Sequence, residues 1–109
     1  MLFLHSMRII KEKTLIQIYQ SSEYRLAKEP LKAWIYEVRK AYWSNSGELK
    51  LKYKNASILD SKRVVFNIKG NNFRLITDIE FKLGIVFIVW CGTHEEYDQI
   101  NAKTIKYED

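Results

Sequence analysis

With 109 residues, 47% of them hydrophobic, the chain has apolar surface for one compact core and none to spare for a second domain. Eighteen Lys and Arg against 13 Asp and Glu leave a formal charge of +5, and seven Tyr, five Phe and three Trp add flat surface, a combination that suits contact with unstacked nucleic-acid bases. A single cysteine, Cys91, excludes an internal disulfide and a cysteine-based zinc cluster, and the short apolar opening excludes a membrane span or secretory signal, so a cytoplasmic protein without membrane association is expected.

Residues 1–6 read as an N-terminal extension or an alternative start, because Met7 opens a fresh pattern, and residues 7–109 read as a single domain. Arg8 to Lys11 is a short strand candidate. From Glu12, the spacing of Leu15, Ile18 and Tyr19 predicts a brief amphipathic helix, after which Ser21 to Glu23 either break it or cap a successor. The strongest helical signal follows: Leu31, Trp34, Ile35, Val38, Ala41 and Tyr42 form one apolar stripe, with Lys32, Glu37, Arg39 and Lys40 opposite and Pro30 near the first turn. Ser44 to Gly47 ends that helix. Glu48 to Lys54 is then a short helix or irregular loop; were it extended, Lys50, Lys52 and Lys54 would make one cationic row, or equally serve as gatekeepers on a solvated edge.

Arg63 to Asp78 carries two alternating strands that meet at Gly70, Asn71 and Asn72, a hairpin turn in which Gly and Asn supply positive φ. Val64, Phe66 and Ile68 oppose Arg63, Asn67 and Lys69; Phe73, Leu75, Thr77 and Ile79 oppose Arg74, Asp78 and Glu80. The expected result is a hairpin with cations on one face and Lys69 close to Arg74. Ile85 to Cys91, apolar on both faces, is expected in the middle of the sheet, with Cys91 a small core residue. Directly beyond it, Thr93 and Glu96 have capping-box spacing, which starts a short helix with His94 in its first turn. Helices first and strands later predict an α+β domain: N-terminal helices on one face of a small, mainly antiparallel sheet of about four strands.

In order and spacing, Met7 to Ile10, Pro30 to Trp34 with Glu37 and Val38, Arg63 to Asn71 with Phe73 to Leu75, and Gly92 to Asp98 resemble the HigB-type toxins of the RelE superfamily. These are mRNA interferases of bacterial type II toxin–antitoxin modules, and the resemblance spans nearly the whole chain. It implies a RelE-like fold and an endoribonuclease that cuts mRNA in the A site of the 70S ribosome, inhibiting translation and growth. A cognate helix-turn-helix HigA-type antitoxin is the implied partner, with operator DNA reached only through the antitoxin.

Relatives cleave without metal, by attack of a ribose 2′-OH on the adjacent phosphorus. That chemistry needs a base for the hydroxyl, cations for the charge gathering on phosphorus, and an acid for the departing 5′-oxygen. The residues themselves supply candidates for these roles: Lys69 and Arg74 as phosphate clamps, His94 for proton transfer in a direction left open, and Tyr97 to stack on a base or bond the phosphate. Glu95 is a candidate either to orient His94 or simply to face water. Asn67, Asn71, Lys50, Lys52 and Lys54 are RNA-binding candidates, Asn71 being equally a turn residue. No cofactor is expected, and two histidines with carboxylates lacking ligand spacing suggest no metal site. A non-catalytic RNA- or ribosome-binding module of the same fold, acting mainly as antitoxin partner and co-repressor, remains the alternative.

Overall fold

The computed structural model describes residues 6–70 and 72–107. Residues 1–5, most of the expected N-terminal extension, lie outside the described set, as does Asn71 at the hairpin turn. The elements run β1 (Arg8–Ile10), α1 (Glu12–Gln20), a 3-10 segment (Ser22–Ala27), α2 (Lys28–Lys40), α3 (Ser46–Lys52), β2 (Ser57–Ile58), β3 (Arg63–Ile68), β4 (Phe73–Glu80), β5 (Ile85–Thr93) and the one-turn α4 (His94–Tyr97). The strands form a sheet in the order β1-β5-β4-β3-β2, antiparallel except where β1 lies parallel to β5.

The α+β class and the mainly antiparallel sheet match expectation, but the sheet has five strands rather than about four. The addition is β2, whose Ser57 and Ile58 pair with Val65 and Val64. Two residues are too few to leave an alternating signal. A second correction concerns β5, which lies between β1 and β4; the middle strand is β4. Both are covered on two faces, so apolar content does not tell the second position from the third.

Along α2, Leu31, Trp34, Ile35 and Val38 are buried, the i, i+3, i+4, i+7 set that one helix face dictates. Pro30 occupies the third helical position, where a missing N–H costs no intrahelical bond. The helix stops at Lys40 as Ala41 turns to extended backbone at ψ 160. Tyr42 therefore leaves the apolar stripe on which it was expected and is 46% exposed, while Trp43 turns inward at 5%. Two contacts fix the helical layer. Arg39 donates to both oxygens of Glu12 at 2.6 and 2.7 Å, and Tyr53 donates to Glu37 at 2.6 Å.

The hairpin has an apolar core on each side. Val64, Phe66, Ile68, Phe73, Leu75 and Ile79 pack toward the helices, whereas Val65, Ile76 and Val89 form a smaller core on the other face. Residues 99–107 cross that second face, laying Ile100, Ala102 and Ile105 over it. A bulge in β5 explains why neighbours Val89 and Trp90 both serve it: Ile76 pairs with Trp90 and Thr77 with Ile88, so Val89 is skipped.

The expected row of exposed cations on this face is corrected accordingly. Arg63 is 8% exposed and binds both oxygens of Asp78 at 2.6 and 2.9 Å. Its remaining nitrogen donates to the carbonyls of Ala102 and Ile105 at 2.9 and 2.7 Å. Arg63 thus clamps the C-terminal segment to the sheet.

Candidate functional site

Three pieces of chain meet at one end of the sheet: the β3–β4 turn, the end of β5, and α4. The register sets Asn67 beside Arg74 and Arg74 beside Gly92, with Ile68, Phe73 and Thr93 forming the next row. The turn is sewn to α4 by backbone, because the His94 N–H donates to the Asn72 carbonyl at 3.0 Å. The direct cross-strand partner of Arg74 is Asn67 rather than Lys69. Lys69 has left the strand and begins the turn, with φ 52 followed by φ 62 at Gly70. The left-handed position expected of Gly and Asn is thus shared by Gly70 and a lysine, a residue for which it is strained.

The one-turn α4 carries no buried residue, and its placement rests on its cap. Thr93 Oγ1 accepts the Glu96 N–H at 3.1 Å and Glu96 Oε1 accepts the Thr93 N–H at 2.9 Å, the capping box expected from their spacing. The other oxygen, Glu96 Oε2, accepts a hydrogen bond from the Tyr24 hydroxyl at 2.6 Å. That bond, and then the Thr93 N–H, holds the Glu96 carboxyl below the usual carboxylate range. The Tyr24 phenol is pushed well above its ordinary value by the same bond first and by burial second.

Arg74 places its guanidinium over the ring of Tyr97, 5.7 Å from the centroid, and donates to its neighbour's carbonyl, Phe73 O, at 3.3 Å. Tyr97 also meets Trp90 at 6.3 Å between ring centroids. Gly92 makes this crowding possible, because a Cβ there would come within 2.7 Å of both Glu96 Oε1 and the Trp90 ring. His94 is half exposed, but its Nδ1 is shielded from solvent and lies 3.4 Å from Asp98 Oδ1. The carboxylate beside the imidazole is therefore Asp98; Glu95, a candidate either to orient His94 or to face water, is exposed.

Arg74, Tyr97 and, across the ladder, Asn67 come together, with His94 one turn before Tyr97. The lysines divide. Lys50 is occupied, its ammonium donating to the carbonyls of Lys54 and Ala56 at 2.6 and 2.8 Å, which closes the end of α3. The extended row of three lysines does not form, because residues through Lys52 are helical. Lys52 and Lys54 instead line a groove of about 240 Å³ with Tyr53, Asn55, Asn67 and Gly70. His94 lines a different groove, with Glu23, Leu26, Asn72, Phe73 and Glu95. The turn contributes Gly70 to one groove and Asn72 to the other.

Sequence reasoning missed Tyr24, Glu96's second bond, Trp90 and Asp98. Only Asp98 left a local signal, its i, i+4 spacing from His94. Cys91 is a core residue as expected, and burial pushes its thiol up to about 12. Among the described residues no cluster of three His, Cys, Asp or Glu is placed to hold a metal ion, and no helix is long and apolar enough to cross a membrane.

Helices on one face of an open, mostly antiparallel sheet, ending in a short turn of helix against the hairpin, define a RelE-like protein. The chain belongs to the HigB toxin family, the RelE-like toxic component of a toxin–antitoxin system, whose family model matches residues 27–100 from the start of α2 through α4. An antitoxin is therefore its partner. A search of curated proteins finds no match.

Proposed function

We propose that this toxin is a ribosome-dependent endoribonuclease that cuts mRNA in the 70S A site, acting as one domain over residues 7–109 in the cytoplasm. The observation that carries the reading is the union of Arg74, Tyr97 and His94: the guanidinium lies on the Tyr97 ring, and α4, which bears both Tyr97 and His94, is sewn to the hairpin turn. The 2′-OH of one ribose attacks the adjacent phosphorus, losing its proton as the new P–O bond forms. The P–O5′ bond breaks, the 5′-oxygen gains a proton, and the products are a 2′,3′-cyclic phosphate and a 5′-hydroxyl.

Arg74 and Lys69 offset the charge that builds on phosphorus, Arg74 through its planar fork and Lys69 as a point charge. His94 moves one of the two protons, with the Asp98 carboxylate 3.4 Å from its Nδ1. Tyr97 stacks on a base or bonds the phosphate. Lys52, Lys54 and Asn67 hold the flanking message in their groove. Lys50 acts by shaping that groove, and Asn71 by contacting sugar or base at the turn. The reaction uses no metal or other cofactor. A HigA-type helix-turn-helix antitoxin silences the toxin and carries it to operator DNA.

Expression without the antitoxin tests this directly. Growth should stop and transcripts should be cut within reading frames, and either His94→Ala or Arg74→Ala should restore growth. Intact messages in arrested cells, or cleavage retained in both variants, would refute the assignment.

A further inference from the structure

We infer that Tyr24 is a positioning residue for this site: through Glu96, its hydroxyl holds the one-turn helix that presents His94 and Tyr97. The inference rests on the endonuclease reading above and adds to it a residue outside the cleavage machinery.

Four residues of helix do not hold themselves in water, and none of the side chains of α4 is fully buried, Tyr97 packing only at the margin of the second core. Besides the His94 N–H on the Asn72 carbonyl and the Tyr97 ring beside Trp90, α4 is held by the carboxylate of Glu96, divided between two partners: Oε1 closes the capping box on the Thr93 N–H, and Oε2 takes the Tyr24 hydroxyl. Tyr24 comes from the 3-10 segment, 72 residues away in the chain. That segment departs from helical geometry at Tyr24 itself, with φ −110 and ψ 23, and the ring packs against Phe73 at 6.4 Å. Phe73 is the residue paired with Thr93. The phenol therefore reaches α4 from beside β4, and the hydroxyl links the helical layer to the His94 turn.

Gly92 belongs to the same device, because any side chain there would press within 2.7 Å of Glu96 Oε1. A hydrogen bond to an ionised carboxylate is among the stronger kinds, and at 2.6 Å this one is short. Without the hydroxyl, Glu96 keeps a single anchor, α4 frays, and His94 and Tyr97 lose their fixed relation to Arg74. A displacement on the order of 1 Å at a reacting group costs roughly a hundredfold in rate.

The test uses the full-length toxin on message-programmed ribosomes, comparing Tyr24→Phe, Glu96→Gln and the double variant. The expected result is a kcat lowered about 10- to 100-fold with KM within about twofold. The double variant should be no slower than the slower single, since both changes cut one link. Amide NMR signals of residues 94–97 should broaden in Tyr24→Phe while those of β3 and β4 stay sharp. Wild-type cleavage with unchanged kcat in Tyr24→Phe would overturn the inference alone, as would additive losses or a decline that follows loss of folded protein. Absence of cleavage by the wild type would instead overturn the endonuclease reading on which it rests.

Discussion

The guanidinium of Arg74 on β4 lies over the ring of Tyr97 on α4, 5.7 Å from its centroid, although the whole of β5 lies between them in the chain. This contact brings a fixed cation to the helical turn that bears His94. A half-exposed cation–π pair contributes about 0.5–1 kcal/mol, so it orients more than it stabilises.

Arg74→Ala should accordingly lower the melting temperature little while slowing message cleavage about a hundredfold or more, the usual cost of removing a charge-stabilising donor. Arg74→Lys should recover only part of the rate, because an ammonium lacks the planar fork and stacks less well. Equal rates for the lysine variant and the wild type, measured at saturating ribosome, would show that charge alone is used.

Lys69 is held at φ 52, a conformation that costs a residue with a Cβ about 1–2 kcal/mol. Asparagine tolerates this region better, so Lys69→Asn should leave stability to urea unchanged or raise it by up to about 1 kcal/mol. The same change should slow cleavage at least about tenfold if the exposed ammonium serves the phosphate. A variant that gains stability and keeps full activity would assign Lys69 to the turn alone.

Removing the buried guanidinium of Arg63 leaves Asp78 without its partner and two carbonyls of the C-terminal segment without donors. Arg63→Met should destabilise the fold by about 2–4 kcal/mol, reduced from the fully buried case because Asp78 is partly wet. Hydrogen exchange should accelerate first at residues 99–107. A uniform increase across the sheet would show that the clamp supports the whole domain rather than the segment.

The Tyr24–Glu96 bond also sets a pH dependence. Glu96 is held below the usual carboxylate range, first by Tyr24, so its contribution to stability is complete above that range and is lost as pH falls through the depressed folded value. Tyr24 is raised, first by Glu96, so its contribution is complete below the ordinary phenol range and gone once pH passes the raised folded value. The stability difference between wild type and Tyr24→Phe should therefore be flat through neutral pH and shrink in acid and in strong alkali. Urea denaturation across pH measures it, and a difference that grows in acid would contradict the sign.

What could be read in the sequence was whatever leaves a short period. The stripe Leu31, Trp34, Ile35 and Val38 shows because one helix face repeats, the hairpin because strand faces alternate, and the Thr93–Glu96 cap because its partners are three residues apart. Contacts made across the fold left no such trace. Nothing near Tyr24 announces Glu96, and nothing near Arg63 announces the carbonyls of Ala102 and Ile105. Lys69 departs from the strand pattern by a single position: alternation runs through it in the sequence, but the pairing ends at Ile68 and Phe73 and the turn takes the next residue. Lys50 shows the same limit from another side, since its spacing suggests a free cation while its ammonium closes the end of α3.

The most direct test of the endonuclease itself is primer extension on a defined message in a purified translation system, with and without ribosomes and with chelator present. The account predicts breaks inside the reading frame only when ribosomes are translating, with a 5′-hydroxyl on the downstream fragment and a 2′,3′-cyclic phosphate upstream, all abolished by His94→Ala. Breaks in naked RNA at the same rate, or a full-length message beside stalled ribosomes, would contradict it.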